Sequence, residues 1–195
     1  MRRNKVETEQ TIQNLIKIAR HHFTTYGYEK ASLENIVKEA GLTRGALYHH
    51  FSNKKGLFLA VFESIQEEVG DYVEAAAASS NDSWSQLING CQAFLEGAIK
   101  SDNQRILLIE GPAVLGWNTF RQMDEKYSMN SLKEQLHSMK EQNIIKPISL
   151  EAMTHCLSGA MNEAVLWIAN QYDQKQNIIE EAMVVIKHLL EGLRK

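Results

Sequence analysis

At 195 residues, 44% hydrophobic and 23% charged, the chain can bury the core of one ordinary domain, or of a small domain joined to a larger one. The initial "MRRNKVETEQ" has no apolar segment behind its charges, no apolar run reaches membrane-spanning length, and Cys91 and Cys156 form no CxxC pair, so secretion, membrane insertion and a cysteine metal site are not expected and a reducing cytoplasm is. The net charge of −3 hides a split: residues 1–60 hold ten Lys/Arg against five Asp/Glu and the rest 11 against 19, a basic head suited to a polyanion on an acidic body.

Only two prolines, Pro112 and Pro147, interrupt the chain, which favours an all-α fold. In "TEQTIQNLIKIARHHFTTY", Ile12, Leu15, Ile16, Ala19, Phe23 and Tyr26 form one stripe at helical spacing, and Gly27 stops the helix. "ASLENIVKEAG" starts a short helix with Ser32 as N-cap, places Leu33, Ile36, Val37 and Ala40 on one face, and ends at Gly41. "TRGALYHHF" starts the next with Thr43 as N-cap and puts Leu47 and Phe51 four apart on its inward face. Only Gly41 and Leu42 separate the two, a turn too tight for an antiparallel hairpin, so the pair reads as a helix-turn-helix.

From Lys54, Leu57, Phe58, Val61, Phe62 and Ile65 mark a long amphipathic helix, with the Ala75–Ser80 run as the connection to the body. Beyond it, 84–99, 103–109, 120–142, 150–169 and 174–193 read as helices, with a break at Gly111-Pro112; neither repeats nor strand alternation are visible. The resulting organisation is a helix-turn-helix head over 1–53, a linking helix over 54–80 and a helical body over 81–195.

A recognition helix enters the major groove by its N-terminal end. Arg44 is then the candidate base reader, because a guanidinium makes a bidentate pair with guanine N7 and O6. Gly45 costs roughly 1 kcal/mol of helix propensity against alanine, an outlay that close approach to DNA would offset. Tyr48, His49, Ser52 and Lys54 offer groups suited to phosphate oxygens. Adjacent histidines on a helix point about 100° apart, so neither His49/His50 nor His21/His22 is a natural metal pair.

These residues carry a resemblance. "GYEKASLENIVKEAGLTRGALYHHFSNKKGL" is similar to the DNA-binding signature of the TetR/AcrR-like transcriptional regulators, through Gly27, Ser32-Leu33, Ile36, Gly41, Thr43, Gly45, Leu47-Tyr48, His50-Phe51, Lys54 and Leu57. The resemblance implies a three-helix DNA head, a linking fourth helix, and a body for ligand binding and dimerisation. It further implies DNA contacts at Ser32, Thr43, Arg44, Gly45, Tyr48, His49 and Lys54, with Leu47, His50 and Phe51 supporting the helix from within. Position 49, often a larger aromatic in that family, is histidine here, which makes its phosphate contact pH-sensitive if its pKa is ordinary.

Under the same resemblance the last two helices form a four-helix dimer interface, through Met153, Leu157, Met161 and Val165 on one and Ile179, Met183, Ile186 and Leu190 on the other. A twofold operator requires such a homodimer. The effector pocket is expected around the Gly-Pro break, lined by Cys91, Phe94, Glu110, Trp117, Phe120, Met123, Tyr127, Asn162 and Trp167, and suited to an apolar molecule with a polar or cationic group. The chain thus reads as a cytoplasmic, ligand-responsive repressor released from double-stranded DNA by a small molecule, without cofactor or metal. An accessory DNA-binding factor without an effector site is the alternative. An enzyme built on Glu110, His137 or His155 with Cys91 or Cys156 lacks a nucleophile, base and orienter at interpretable spacing.

Overall fold

The structure, a computed structural model, describes residues 2–171 and 175–195. Among them it is helical without strands, as the sparse prolines and unbroken 3.6-residue periodicity dictate; an isolated bridge pairs Ile145 with Arg194. The described residues divide into two compact units, Met1–Ile65 with Ser101–Phe120, and Gln66–Lys100 with Arg121–Lys195. That division differs from the boundaries drawn above, because residues 101–120 pack with the head.

In the first unit, α1 (Arg2–Lys30) is broken at Gly27, whose φ of 77° and ψ of 163° leave the helix for one residue. Ser32 caps α2 (Leu33–Glu39) by accepting from Asn35 N, and Thr43 caps α3 (Arg44–Phe51) by accepting from Ala46 N at 3.2 Å. Between them Gly41 takes a φ of 67°. His22 Nε2 lies 2.9 Å from Glu39 Oε2, tying α1 to α2. Leu15, Ala19, Phe23, Ile36, Val37 and Leu47 are buried in this unit, as are Leu57, Phe58, Val61 and Phe62 of α4 (Lys54–Ala77), with Phe23 edge-on to Phe58 at 5.3 Å. Asn53 Oδ1 accepts from Gly56 N at 2.8 Å and so caps α4.

The rest of this unit corrects the expected Gly-Pro break. After α6 (Ser101–Gln104) a π-helical segment, Arg105–Glu110, runs directly into α7 (Gly111–Leu115), and the chain breaks at Gly116, φ 85°. Pro112 lies in the first turn of α7, where a missing N–H costs nothing. Gly111 permits the close packing: a Cβ there would lie 2.6 Å from Phe62 Cε2 and 2.9 Å from Ile106 O.

In the second unit α5 (Ser83–Ala98) packs against α9 (Asn130–Glu141), α10 (Leu150–Ala169) and α11 (Lys175–Glu191). Asp82 and Ser149 cap α5 and α10. Gln174, the expected first residue of the last helix, lies outside the described residues. The expected 120–142 helix is composite: α8 (Trp117–Asp124), a π-helical segment at Glu125–Met129, then α9. No described helix is long and apolar enough to cross a membrane.

Candidate nucleic-acid interface and body cavity

The two N-caps and the Gly41 turn fix α3 so that Leu47 is buried and Phe51 half-buried, while Thr43, Arg44, Gly45, Tyr48 and His49 are exposed. His50 is exposed as well, contrary to its expected supporting role, because Leu47 and Phe51 occupy the inward arc of this two-turn helix. A Cβ at Gly45 would meet nothing closer than Thr43 Oγ1 at 3.8 Å, so no neighbour within the chain requires glycine there. Lys54 Nζ donates to Glu29 O at 3.1 Å and sits 4.8 Å from the centre of the Tyr28 ring, which leaves ammonium donors for a further oxygen. Ser32 is half-buried, its hydroxyl engaged at the start of α2.

The second unit holds a cavity of about 100 Å³, lined mainly by α4, α5 and α10 and by Tyr127 to Gln135. Of the residues expected there, Cys91, Phe94 and Tyr127 line it. Glu110, Trp117 and Phe120 do not; they belong to the first unit, where Trp117 is exposed and Phe120 buried against Phe62. Met123, Asn162 and Trp167 are outside the lining too, Trp167 being 45% exposed. The lining missed by sequence reading includes Val69, Val73, Leu87, Leu132, Leu157 and Met161. These are ordinary apolar helix positions, and no sequence signal separates a cavity wall from a filled core.

Among the described residues no Asp, Glu, Lys, Arg or His lines this cavity; its polar groups are the Gln86 and Gln135 amides, the Ser128, Ser131 and Ser158 hydroxyls, the Tyr127 phenol and the Cys91 thiol. Two are already engaged with each other, Gln135 Nε2 donating to Gln86 Oε1 at 3.2 Å. Burial pushes the Cys91 thiol up to about 12, so it stays protonated and is a weak nucleophile. Ser158 Oγ donates to Asp124 Oδ2 at 3.4 Å, behind the wall. Asp124 is buried and its carboxyl is raised by desolvation, against the opposing charge of Arg121, whose Nη1 is 2.7 Å away.

The expected dimer residues are placed differently from the expectation. Leu157, Met161, Val165, Ile179, Met183, Ile186 and Leu190 are buried within the single chain, and Met153 is half-buried. The stripe on each helix satisfies its own subunit's core first. The other face of the same two helices exposes Trp167, Val184, Val185 and Leu189.

A helix-turn-helix with an exposed polar recognition face, carried on a helical body with an apolar cavity, defines the class of helical DNA-binding regulators. Residues 15–61 match the family described as "Bacterial regulatory proteins, tetR family", and residues 84–193 match "Tetracyclin repressor-like, C-terminal domain". The chain belongs to the TetR family and is a DNA-binding transcriptional regulator. It is 26% identical over 151 residues to the Transposon Tn10 TetC protein of Escherichia coli, covering 77% of this chain and 76% of that one. It is 32% identical over 108 residues to the HTH-type transcriptional regulator AcrR of Shigella flexneri, covering 55% of this chain and 50% of that one. A TetR-family transcriptional regulator from Pectobacterium atrosepticum superimposes with a TM-score of 0.80 at 31% identity, over 97% of this chain and 96% of the other.

Proposed function

We propose that the protein is a repressor that binds a palindromic operator as a homodimer and is released when a small, neutral, largely apolar molecule occupies the body cavity. The observation that carries the DNA half is the exposed face of α3, with Arg44 and Gly45 in its first turn and Tyr48 and His49 beyond. Arg44 reads a guanine edge; Ser32, Thr43, Tyr48, His49 and Lys54 engage the backbone or flanking groups. The exposed Trp167, Val184, Val185 and Leu189 supply the dimer face, and Gly159 of the same α10 as Trp167 has open space where a Cβ would stand. On duplexes selected in vitro by the wild-type protein, Arg44→Ala should lose about 1–3 kcal/mol of discrimination at one base pair. Lys54→Ala should weaken binding to every duplex and lower the salt slope by about one. Identical effects of the two substitutions would refute this division of labour.

The cavity supports the effector half over the reading of an accessory DNA-binding factor. An apolar cavity of this order admits one ring the size of benzene. With Glu110 elsewhere, nothing in the lining favours the cationic group expected from the sequence. Phenol and benzyl alcohol should therefore raise the thermal midpoint and weaken operator binding, whereas benzoate and benzylammonium should do neither; Cys91→Trp should abolish the response by filling the space. Operator affinity that stays constant while the neutral probes saturate would remove the linkage.

A further inference from the structure

At the α1 break, two backbone groups are separated that a continuous helix would join: the carbonyl of Thr24 and the N–H of Tyr28, four residues apart. Both are recovered by one ion pair from the 105–110 segment. Arg105 Nη1 donates to Thr24 O at 2.8 Å, and Glu110 Oε2 accepts from Tyr28 N at 2.8 Å. Arg105 Nε and Glu110 Oε1 are 3.1 Å apart, closing the loop, and the Glu110 side chain is only 15% exposed. The pair is thus inserted into a split helical hydrogen bond, in space that Gly27 leaves open: a Cβ on Gly27 would overlap the Arg105 guanidinium and lie 2.8 Å from Glu110 Oε1.

What the pair fixes is the turn that follows. The Tyr28 ring packs edge-on against Phe58 at 5.3 Å and lies alongside Phe23 at 5.9 Å, and the Lys54 ammonium sits 4.8 Å from its centre. The next carbonyl, Glu29 O, accepts from the same ammonium. Lys54 therefore takes its place at the head of α4 from two consecutive residues whose backbone path is set by Glu110 and Arg105. The same 101–120 segment also accepts from Lys55 through Leu115 O at 3.2 Å and holds Arg20 through Asn103 Oδ1 at 2.6 Å.

We propose that Arg105 and Glu110 are positioning residues for DNA binding: by bridging the broken α1 hydrogen bond they hold Tyr28 and Glu29, and through these the Lys54 ammonium, where it meets a phosphate. This rests on the reading of Lys54 as a phosphate contact. It assigns Glu110 to the head, away from the effector chemistry that its sequence neighbours suggest.

The test is a double-mutant cycle on Lys54→Ala and Glu110→Ala, with Glu110→Gln and Arg105→Met alongside. Affinity is read over a salt series on a duplex selected in vitro by the wild-type chain, and thermal midpoints are taken without DNA. Glu110→Ala and Arg105→Met should each weaken binding several-fold and reduce the salt slope toward that of Lys54→Ala, a drop of about one. The double variant Lys54→Ala/Glu110→Ala should bind within about twofold of Lys54→Ala alone, because residues acting through one contact are not additive. Glu110→Gln, which keeps an acceptor for Tyr28 N, should recover most of the affinity, and it carries the test should Glu110→Ala not fold. Multiplicative losses in the double variant, or a lowered midpoint with an unchanged salt slope, would show a merely structural role and overturn the proposal. A Lys54→Ala protein that binds like wild type would instead overturn the phosphate reading beneath it.

Discussion

Gly27→Ala is expected to destabilise the protein by about 3 kcal/mol or more, mostly through the backbone and the groups packed against it. Gly27 has φ 77° and ψ 163°, a region essentially closed to residues with a Cβ, and forcing one into it costs about 1–3 kcal/mol. The new methyl would also stand where the Arg105 guanidinium and Glu110 Oε1 lie, so the pair must move and its charge-assisted bonds to Thr24 O and Tyr28 N lengthen. Hydrogen bonds to charged groups contribute about 1.5–3 kcal/mol, and losing even one brings the total to the stated range. Urea unfolding of wild type and variant measures it. A variant within 0.5 kcal/mol, on the order of an ordinary surface change, would mean that the chain relaxes there at little cost. Arg105→Met should then discriminate further: if the clash dominates the loss, Gly27→Ala in an Arg105→Met background costs less than in wild type.

How much of this was legible depends on whether a feature is local in sequence. Ser32, Thr43 and Gly41 act within three or four residues of themselves, and the caps and the turn were readable as they stand. The end of a helix at Gly27 was readable for the same reason. That the chain resumes a helical turn beyond it was not, because the stabilising partners are Arg105 and Glu110, about eighty residues away. Glu110 shows the cost of arguing from neighbours: beside apolar and aromatic residues it read as a pocket acid, yet its carboxylate is committed to Tyr28 N and Arg105. Pro112 read as a break because a proline inside a regular helix would be one; the preceding π-helical turn, in which Gly111 N bonds to Ile106 O, restarts the helix with Pro112 in its first turn. On α10 and α11 periodicity located the apolar stripes but not their partner. A stripe of Leu157, Met161 and Val165 is the same pattern whether a neighbouring helix of its own subunit or of another covers it, and only burial distinguishes the two.

The charge behind the cavity wall leads to the second large effect. Arg121→Ala should cost about 3–5 kcal/mol near neutral pH, the loss that follows when a buried ion pair is broken from one side. Asp124 is 3% exposed, and desolvation already raises its carboxyl above the ordinary 3.8; Arg121 opposes that rise, as do the hydrogen bonds from Ser158 and Asn162 and the nearby His155. A raised carboxyl pKa means that the native state holds the proton more tightly than the unfolded chain does. Its contribution to stability is therefore most favourable below 3.8 and declines as pH rises through the native value. Removing Arg121 deletes the largest opposing influence, moves the native pKa further up and extends that decline toward neutrality. The penalty of Arg121→Ala should consequently be smallest near pH 4 and grow toward pH 8, and urea unfolding across that range reads it directly. Arg121 Nη2 also lies 3.0 Å from His155 Nδ1, so the same guanidinium bridges the buried carboxylate and α10. A penalty that is flat with pH would mean that Asp124 stays ionised without its partner, with solvent entering behind Ser158. In that case the neutral probes should also bind more weakly, because the cavity wall on which Ser158 turns its hydroxyl outward to Asp124 would no longer be dry.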